Sequence, residues 1–473
     1  MRCRFVACVV LGWMVCLGMA AVASPVFAWL PEGVEAEWTI GWKSMVPRTD
    51  TQDVDDGMIS NEARVEGTFF WAGEGFCLYA TPELRINDAI SSRSPGGEIR
   101  YSGSGTTLMR HLTFASRGVE LSFRELYLEK ETEASRWRVG NQVFAWGTAD
   151  FINPTSYFNP QDLRELLLKE EDALALGVPA VSMLRFVGAF SIEAVVMPMG
   201  IPQLNAWQGD YFYIEPDNFS LPVHRTENES SAITFENAGV GLKAARSVGS
   251  CDLSMSVYHG PDREPLIVPD RVIALPGEPV SVLARSFHGQ VTSVGADVSA
   301  DLGQCVIQVE GAWSFDKEGY VTQDASNPAV MVFPYEVVDS NFWSVSAGLN
   351  WFIPVVDWFP NHEGESVVTV EGHRSGYTEG GLGDPFYDRT LSLRYQDSFF
   401  SGRVPLSLFG VMDGDATGEM TWAKVGYDFQ NGWVVDGSVV LFDGKAPKLN
   451  EVGSPFWYMR DRDLFIVTVT YVF

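Results

Sequence analysis

The sequence predicts an all-β chain that closes into a transmembrane, antiparallel, up-and-down β-barrel of about 18 strands. Three observations support this prediction: apolar and polar residues alternate in many short segments, short and long connections alternate between these segments, and the chain ends on an apolar strand. A soluble sandwich shows the first feature too, so alternation alone does not separate the two architectures. The other two features favour a barrel in a membrane.

Alternation with a period of two indicates strands that have one apolar and one polar face. In one clear case, Leu391, Leu393 and Tyr395 alternate with polar residues. The predicted strands are residues 38–46, 62–71, 77–87, 119–129, 137–143, 183–187, 190–198, 237–245, 251–259, 287–300, 305–315, 343–353, 367–373, 390–396, 404–412, 420–429, 433–442 and 464–473.

The connections between these segments alternate in length. One set is mostly short, for example 72–75, 301–304 and the Asn431-Gly432 hairpin signal. Short periplasmic turns opposite long extracellular loops are typical of transmembrane barrels. One member of the short set, residues 354–366, is long, which leaves about 16 strands as the alternative count. The other set is mostly long: 88–118, 144–182, 199–236, 260–286, 316–342 and 443–463.

The last predicted strand ends at the chain terminus, and its apolar face runs from Phe465 to Phe473. In a soluble protein this strand would be an exposed, adhesive edge, whereas in a closed barrel it pairs with the first strand. A strand that ends in phenylalanine resembles the C-terminal signal read by the barrel-assembly machinery. This machinery, periplasmic chaperones and outer-membrane lipid are therefore the predicted partners.

The N-terminal residues predict export. Arg2 and Arg4 precede an apolar run over 5–17, and small residues follow up to Ala23, which is the order found in secretory signals. We therefore divide the chain into a signal peptide, residues 1–23, and a barrel, residues 24–473, with a cut at residue 28 as the second possibility. The predicted location is the outer membrane.

Charge and cysteine content exclude two further classes of protein. The chain has 33 basic and 61 acidic residues and a formal net charge of −28, which repels phosphate backbones and argues against nucleic-acid binding. Beyond the signal peptide only Cys77, Cys251 and Cys305 remain. Three cysteines form one disulfide at most, so the fold does not rest on a disulfide framework.

The most distinctive sequence lies between Phe123 and Glu165. It contains Trp146-Gly-Thr-Ala-Asp150, then Asn153-Pro154, then Asn159-Pro-Gln-Asp-Leu-Arg-Glu165. This order resembles a family of porin-like Gram-negative outer-membrane proteins that is known only as a domain of unknown function. The resemblance implies an outer-membrane barrel and no particular activity. Asn141 stands where the family usually has an arginine.

The loop 144–182 is predicted to hold a short helix, because Asn159 is a good N-cap and Pro160 fits the first helical position. We expect this loop to fold into the barrel and narrow the pore, with its charged residues pairing with wall residues such as Arg124 and Arg138. A helix that rests on the outer loops is the alternative. The charged residues of the loop are Asp150, Asp162, Arg164 and Glu165.

Since the apolar faces of the strands meet lipid, their polar faces are predicted to line the lumen. The mixture of charges on these faces suits a water-filled pore for small polar solutes. The candidate lumen residues on the strands are Glu83, Arg85, Arg124, Arg138, Gln142, Lys243, Glu310, Arg394, Lys424, Asp428 and Asp436.

The sequence thus predicts a porin-like channel for passive diffusion, narrowed by the 144–182 loop and without a cofactor. A surface adhesin that works through its long loops is the alternative. An outer-membrane phospholipase is a weaker one, because His373 and Ser375 are predicted to point inward and the next residue is Gly376. We therefore predict that the chain is not an enzyme.

One stretch resembles the start of a calcium loop. Asp413, Asp415 and Thr417 occupy the first, third and fifth positions, but Lys424 stands at the twelfth, where a bidentate glutamate is needed. A tight turn rich in aspartate and glycine is the simpler interpretation, so no metal is predicted.

Overall fold

The computed structural model describes residues 34–48, 60–87, 113–116, 119–169, 174–201, 203–206, 211–213, 223–226, 237–264, 266–273, 280–322, 335–355, 366–379, 388–414, 417–446 and 454–473. Long antiparallel strands dominate these residues, and their pairings form one closed cylinder of 18 strands. The prediction of an up-and-down barrel is confirmed, and the lower strand count is wrong. The predicted signal peptide lies outside the described residues.

In chain order, the barrel strands are β1 (Val34–Pro47), β2 (Ser60–Ala72), β3 (Cys77–Asn87), β4 (Val119–Glu131), β5 (Ser135–Gln142), β6 (Val178–Val187), β7 (Phe190–Met197), β8 (Gly239–Val248), β9 (Cys251–Pro261), β10 (Gln290–Asp301), β11 (Cys305–Thr322), β12 (Tyr335–Ile353), β13 (Ser366–Tyr377), β14 (Arg389–Phe399), β15 (Val404–Asp413), β16 (Gly418–Asp428), β17 (Trp433–Gly444) and β18 (Leu464–Val472).

The first and last strands close the barrel. β1 pairs with β18 in a register that sets Thr39 opposite Val472. Beyond this ladder, the Trp38 amide donates to the Phe473 carbonyl over 3.2 Å, and the Phe473 amide donates to the Trp38 carbonyl over 3.1 Å. The terminal strand therefore has no free edge, as its sequence predicted.

The outer face of the barrel is apolar. Leu242, Met255, Val309 and Leu393 are all exposed on it, and Met255 keeps 71% of its surface. Charged residues on the opposite face of the strands, such as Glu310 and Glu371, point into the barrel and are buried. This arrangement is the reverse of a soluble barrel, and the hydrocarbon of a bilayer is the environment that covers such a face. The described strands therefore span a membrane.

Small elements accompany the barrel. Thr113–Ser116 pairs with the start of β4, and Val223–Thr226, Leu266–Ile273 and Ser281–Phe287 form a separate three-stranded sheet. The short helix α1, Pro455–Tyr458, lies in the connection between β17 and β18. None of the helices among the described residues is long and apolar enough to cross a bilayer.

The three cysteines beyond the predicted signal each begin a strand next to a short turn. Cys77 opens β3, Cys251 opens β9 and Cys305 opens β11. All three are free and partly buried. The sequence left their state open, and the strands that the structure describes contain no disulfide.

Candidate functional site

A segment that leaves β5 enters the barrel and contacts its inner wall on several sides. We call residues 143–169 the lumen segment. Asn159 joins the start of this segment to the chain on both sides of it. Its Oδ1 accepts the Phe144 amide over 2.7 Å, and its Nδ2 donates to the Gln142 and Leu176 carbonyls. The prediction that this loop folds inward therefore agrees with the contacts of the described residues.

Two glutamates on the opposite wall bind the main chain of the lumen segment. Glu310 on β11 accepts the amides of Thr148, Ala149 and Thr155 over 2.6–3.0 Å, and also the Thr155 hydroxyl. Glu371 on β13 accepts three consecutive amides, those of residues 150–152, over 2.7–3.0 Å. These bonds explain the Trp146-Gly-Thr-Ala-Asp150 motif, because its backbone wraps around two carboxylates.

Gly147 allows this close approach. Its φ is +93°, in the left-handed region that favours glycine, and a Cβ built on it would lie 2.3 Å from Asn153 Oδ1 and 2.4 Å from Glu310 Oε2. Any side chain at this position would push the segment away from Glu310. The glycine of the motif is therefore a steric requirement of the site.

Side chains complete this contact. Trp146 Nε1 donates to Glu193 on β7 over 2.7 Å, and Asn350 on β12 donates to Asp150 over 2.8 Å. The Ser346 hydroxyl, also on β12, donates to the Ile152 carbonyl over 2.5 Å. The lumen segment is therefore attached to β7, β11, β12 and β13.

A second contact, made of ion pairs, attaches the end of the segment to β1–β3. Arg85 Nη2 lies 2.6 Å from Glu62 and 2.7 Å from Glu165 of the segment, and Lys43 lies 2.5 Å from the other Glu165 oxygen. Arg85 is 2% exposed and Glu62 is completely buried, so water screens these charges very little.

Arg164 extends this ion-pair contact to β4. Its guanidinium lies 2.7 Å from Glu120 on the wall and 2.7 Å from Asp162 within the segment. Lys169 lies 2.5 Å from the same Asp162 oxygen. Burial raises the pKa of the Asp162 carboxyl, but Arg164 and Lys169 outweigh it and hold this pKa well below its ordinary value. For Glu165, Lys43 and Arg85 likewise outweigh burial and lower the pKa.

Two parts of the sequence interpretation are wrong here. Residues 159–169 form no helix: Asp162–Leu163 is a short strand parallel to Leu204–Asn205, a turn follows, and Leu166 has a φ of +53°. Wall contacts and strand pairing outweigh the local helix signals. The segment also does not pair with Arg138, whose guanidinium lies 2.7 Å from Glu129 and over the ring of Tyr127, both on β4.

The other predicted wall residues take varied positions. Gln142 is buried, and its Nε2 donates to the Ala180 carbonyl while its Oε1 accepts the Ser182 hydroxyl. Arg124 sits where the β3–β4 register shifts, and its carbonyl accepts from Asn141 over 2.8 Å. Arg394 lies over the Phe409 ring at 5.4 Å, and Lys424 lies 3.9 Å from Asp436.

Sequence reasoning missed two apolar patches on the inner wall. On one side, Leu168 packs in a cluster with Val411, Met420 and Val440 of β15–β17. On the other, Phe158 packs in a cluster with Tyr258 of β9. A signal was present on two of these strands, because consecutive apolar residues occupy both faces in β15 at 408–412 and in β17 at 439–442. These patches receive the apolar side chains of the lumen segment.

The remaining chemical candidates are placed as follows. His373 faces the lumen, as predicted, and its Nδ1 lies 2.8 Å from the Ser346 hydroxyl. Asp415 lies outside the described residues, and the Thr417 hydroxyl donates to the Gly414 carbonyl over 3.2 Å. Within the described ranges, no group of three or more histidine, cysteine or acidic side chains is placed to hold a metal ion.

No family model matches the sequence, and no curated protein matches it. Among solved structures, the chain is similar to OccK8 (OprE) of Pseudomonas aeruginosa, with 9% identity, a TM-score of 0.50 and coverage of 93% of this chain and 98% of that chain. It is also similar to OccAB3 of Acinetobacter baumannii, with 10% identity, a TM-score of 0.48 and coverage of 93% and 99%. At this identity, the likeness to OccK8 shows the fold alone.

Proposed function

We propose that the chain is an outer-membrane channel for the passive diffusion of small polar solutes, with a bore set by the lumen segment. The supporting observation is a segment bound to the inner walls of a barrel whose outer face is apolar. A barrel of this strand number has room for an aqueous lumen. The mixed charges along the wall, such as Arg394 and the Lys424–Asp436 pair, suit polar solutes of either sign.

Single-channel recording in planar bilayers tests this proposal. We expect discrete open steps from the purified protein, and a changed step size when Arg164→Ala removes the contact between the segment and Glu120. Arg136→Ala is the matched control, because Arg136 lies at the short-turn end and pairs with Glu131 of the neighbouring strand. Preparations that contain folded barrel but never give open steps would refute the channel and favour the adhesin alternative.

The route to the membrane is part of the same proposal. We infer that residues 1–23 direct export and that the strand ending in Phe473 is read by the barrel-assembly machinery after delivery by periplasmic chaperones. Deletion of Phe473 tests the assembly step. We expect less heat-modifiable barrel in the outer membrane, whereas wild-type levels of barrel would contradict a role for this residue.

A further inference from the structure

We propose that Glu310 and Glu371 are the positioning residues of the lumen segment, and that their ionised form holds it across the barrel. This inference depends on the proposed channel function only in what it implies for conduction; the binding of the segment by the two carboxylates does not depend on it. Each carboxylate accepts several main-chain amides of residues 148–155. The position of residues 148–155 therefore depends largely on bonds to their backbone.

The two carboxylates lack the cations found at the other contact. Glu310 is 1% exposed and Glu371 is 2% exposed. No lysine or arginine in the described part of the chain forms an ion pair with either one. Their negative charge is instead balanced by the amide dipoles of the segment. A buried carboxylate of this kind is stable in its ionised form only while those donors stay in place.

The groups around each carboxylate make the compensation of its charge by the amides sensitive to acid. Glu310 stands opposite Asp297 of β10 and Ser346 of β12, and Tyr157 of the segment lies near it. Glu371 stands opposite Gly348 of β12 and Ser392 of β14, shares its strand face with His373, and has Asp150 beside it. Each carboxylate is therefore buried with a second carboxylate nearby, and the amides of the segment compensate its charge.

Protonation would reverse the chemistry of the contact. An ionised carboxylate only accepts hydrogen bonds, whereas a protonated one carries an O–H donor. A proton on Glu371 therefore weakens its bonds to the amides of residues 150–152, because a neutral carboxyl is a poorer acceptor than a carboxylate and its O–H needs an acceptor of its own. Asp162 keeps its charge to lower pH because its pKa is held low, so mild acid would free residues 148–155 while the ion-pair contact persists.

Hydrogen–deuterium exchange of the peptide that covers residues 148–155 tests the proposal without requiring conduction. At neutral pH we expect the amides of the E310Q/E371Q protein to exchange about tenfold faster than those of the wild type. Asp428→Asn is the matched control, because Asp428 bonds the Gln430 amide at the short-turn end, and it should leave exchange unchanged. In wild type, lowering the pH to about 4 should reduce protection toward that of the double variant, after correction for intrinsic exchange.

Three outcomes would overturn the proposal: wild-type protection in the double variant, equal acid sensitivity in both proteins, or loss of protection in the Asp428→Asn control. Heat-modifiable mobility on gels reports whether each variant forms the barrel. If the double variant does not, the single variant Glu371→Gln is measured, and it should release residues 150–152 alone. A wild type that shows these exchange results but gives no open steps would refute the channel and leave the positioning role intact.

Discussion

The two contacts that hold the lumen segment differ in what they bind. At β1–β4, Arg85 and Glu120 bind charged side chains of the segment. At β11 and β13, Glu310 and Glu371 bind its main chain. The first contact depends on the identity of four or more side chains, whereas the second depends mainly on the backbone path and on one glycine, with fewer side-chain bonds from Trp146, Asp150 and Thr155. A loop can therefore be held in a barrel largely through hydrogen bonds to its main chain.

The largest expected effect is at Arg85. Replacing it with alanine would remove the buried guanidinium between Glu62 and Glu165 and leave Lys43 as the one cation of the described residues in contact with both. Removing one partner of a buried ion pair costs about 3–5 kcal/mol. We expect the Arg85→Ala barrel to unfold at clearly lower urea concentration in lipid vesicles. A loss of stability no greater than that of Arg136→Ala would show that water reaches this contact.

The next effect is at Gly147. Its replacement by alanine places a Cβ against Asn153 and Glu310 in a backbone conformation that costs about 1–3 kcal/mol for other residues. We expect the segment to lose its protection from exchange around residues 148–155 while the barrel itself stays closed. Gly249→Ala is a control for backbone strain, because Gly249 has a φ of +63° but open space around it.

A smaller, pH-dependent effect is expected at Asp162. The Asn variant keeps the shape but removes the charge between Arg164 and Lys169, which costs about 1–3 kcal/mol. Because the folded pKa of Asp162 lies below the unfolded value of about 3.9, its stabilisation is complete above that pH and is lost as the pH falls through the folded pKa. The gap in stability between wild type and Asp162→Asn should be constant near neutral pH and close only in strong acid.

The smallest effect is expected at Arg138. It pairs with Glu129 on the neighbouring strand and is partly exposed, so its replacement by alanine should cost about 0–1 kcal/mol. Channel steps should keep their wild-type size, in contrast to those of Arg164→Ala. A large change in step size would mean that Arg138 lines the narrowest part of the pore after all.

The strands could be predicted because each carries its own signal. Leu391 and Leu393 face outward and Ser392 faces inward whatever their neighbours do, and a shift by one residue would bury every polar side chain in lipid. The lumen segment has no such local signal. Asn159 and Pro160 have strong helix-start character, yet Asn159 bonds Phe144, Gln142 and Leu176 instead. These partners lie 15 or 17 residues away along the chain, so the local sequence around Asn159 does not indicate them.

The barrel with its apolar exterior and the pairing of its last strand with its first follow from the amino-acid pattern alone, because a period of two and a terminal apolar strand act through nearest neighbours. The wall residues that hold the lumen segment are defined by the folded arrangement. Glu310 and Glu371 lie more than 150 residues from the amides that they bind. The closure of the cylinder brings them together, and the free energy of that contact depends on three-dimensional distance rather than on sequence spacing.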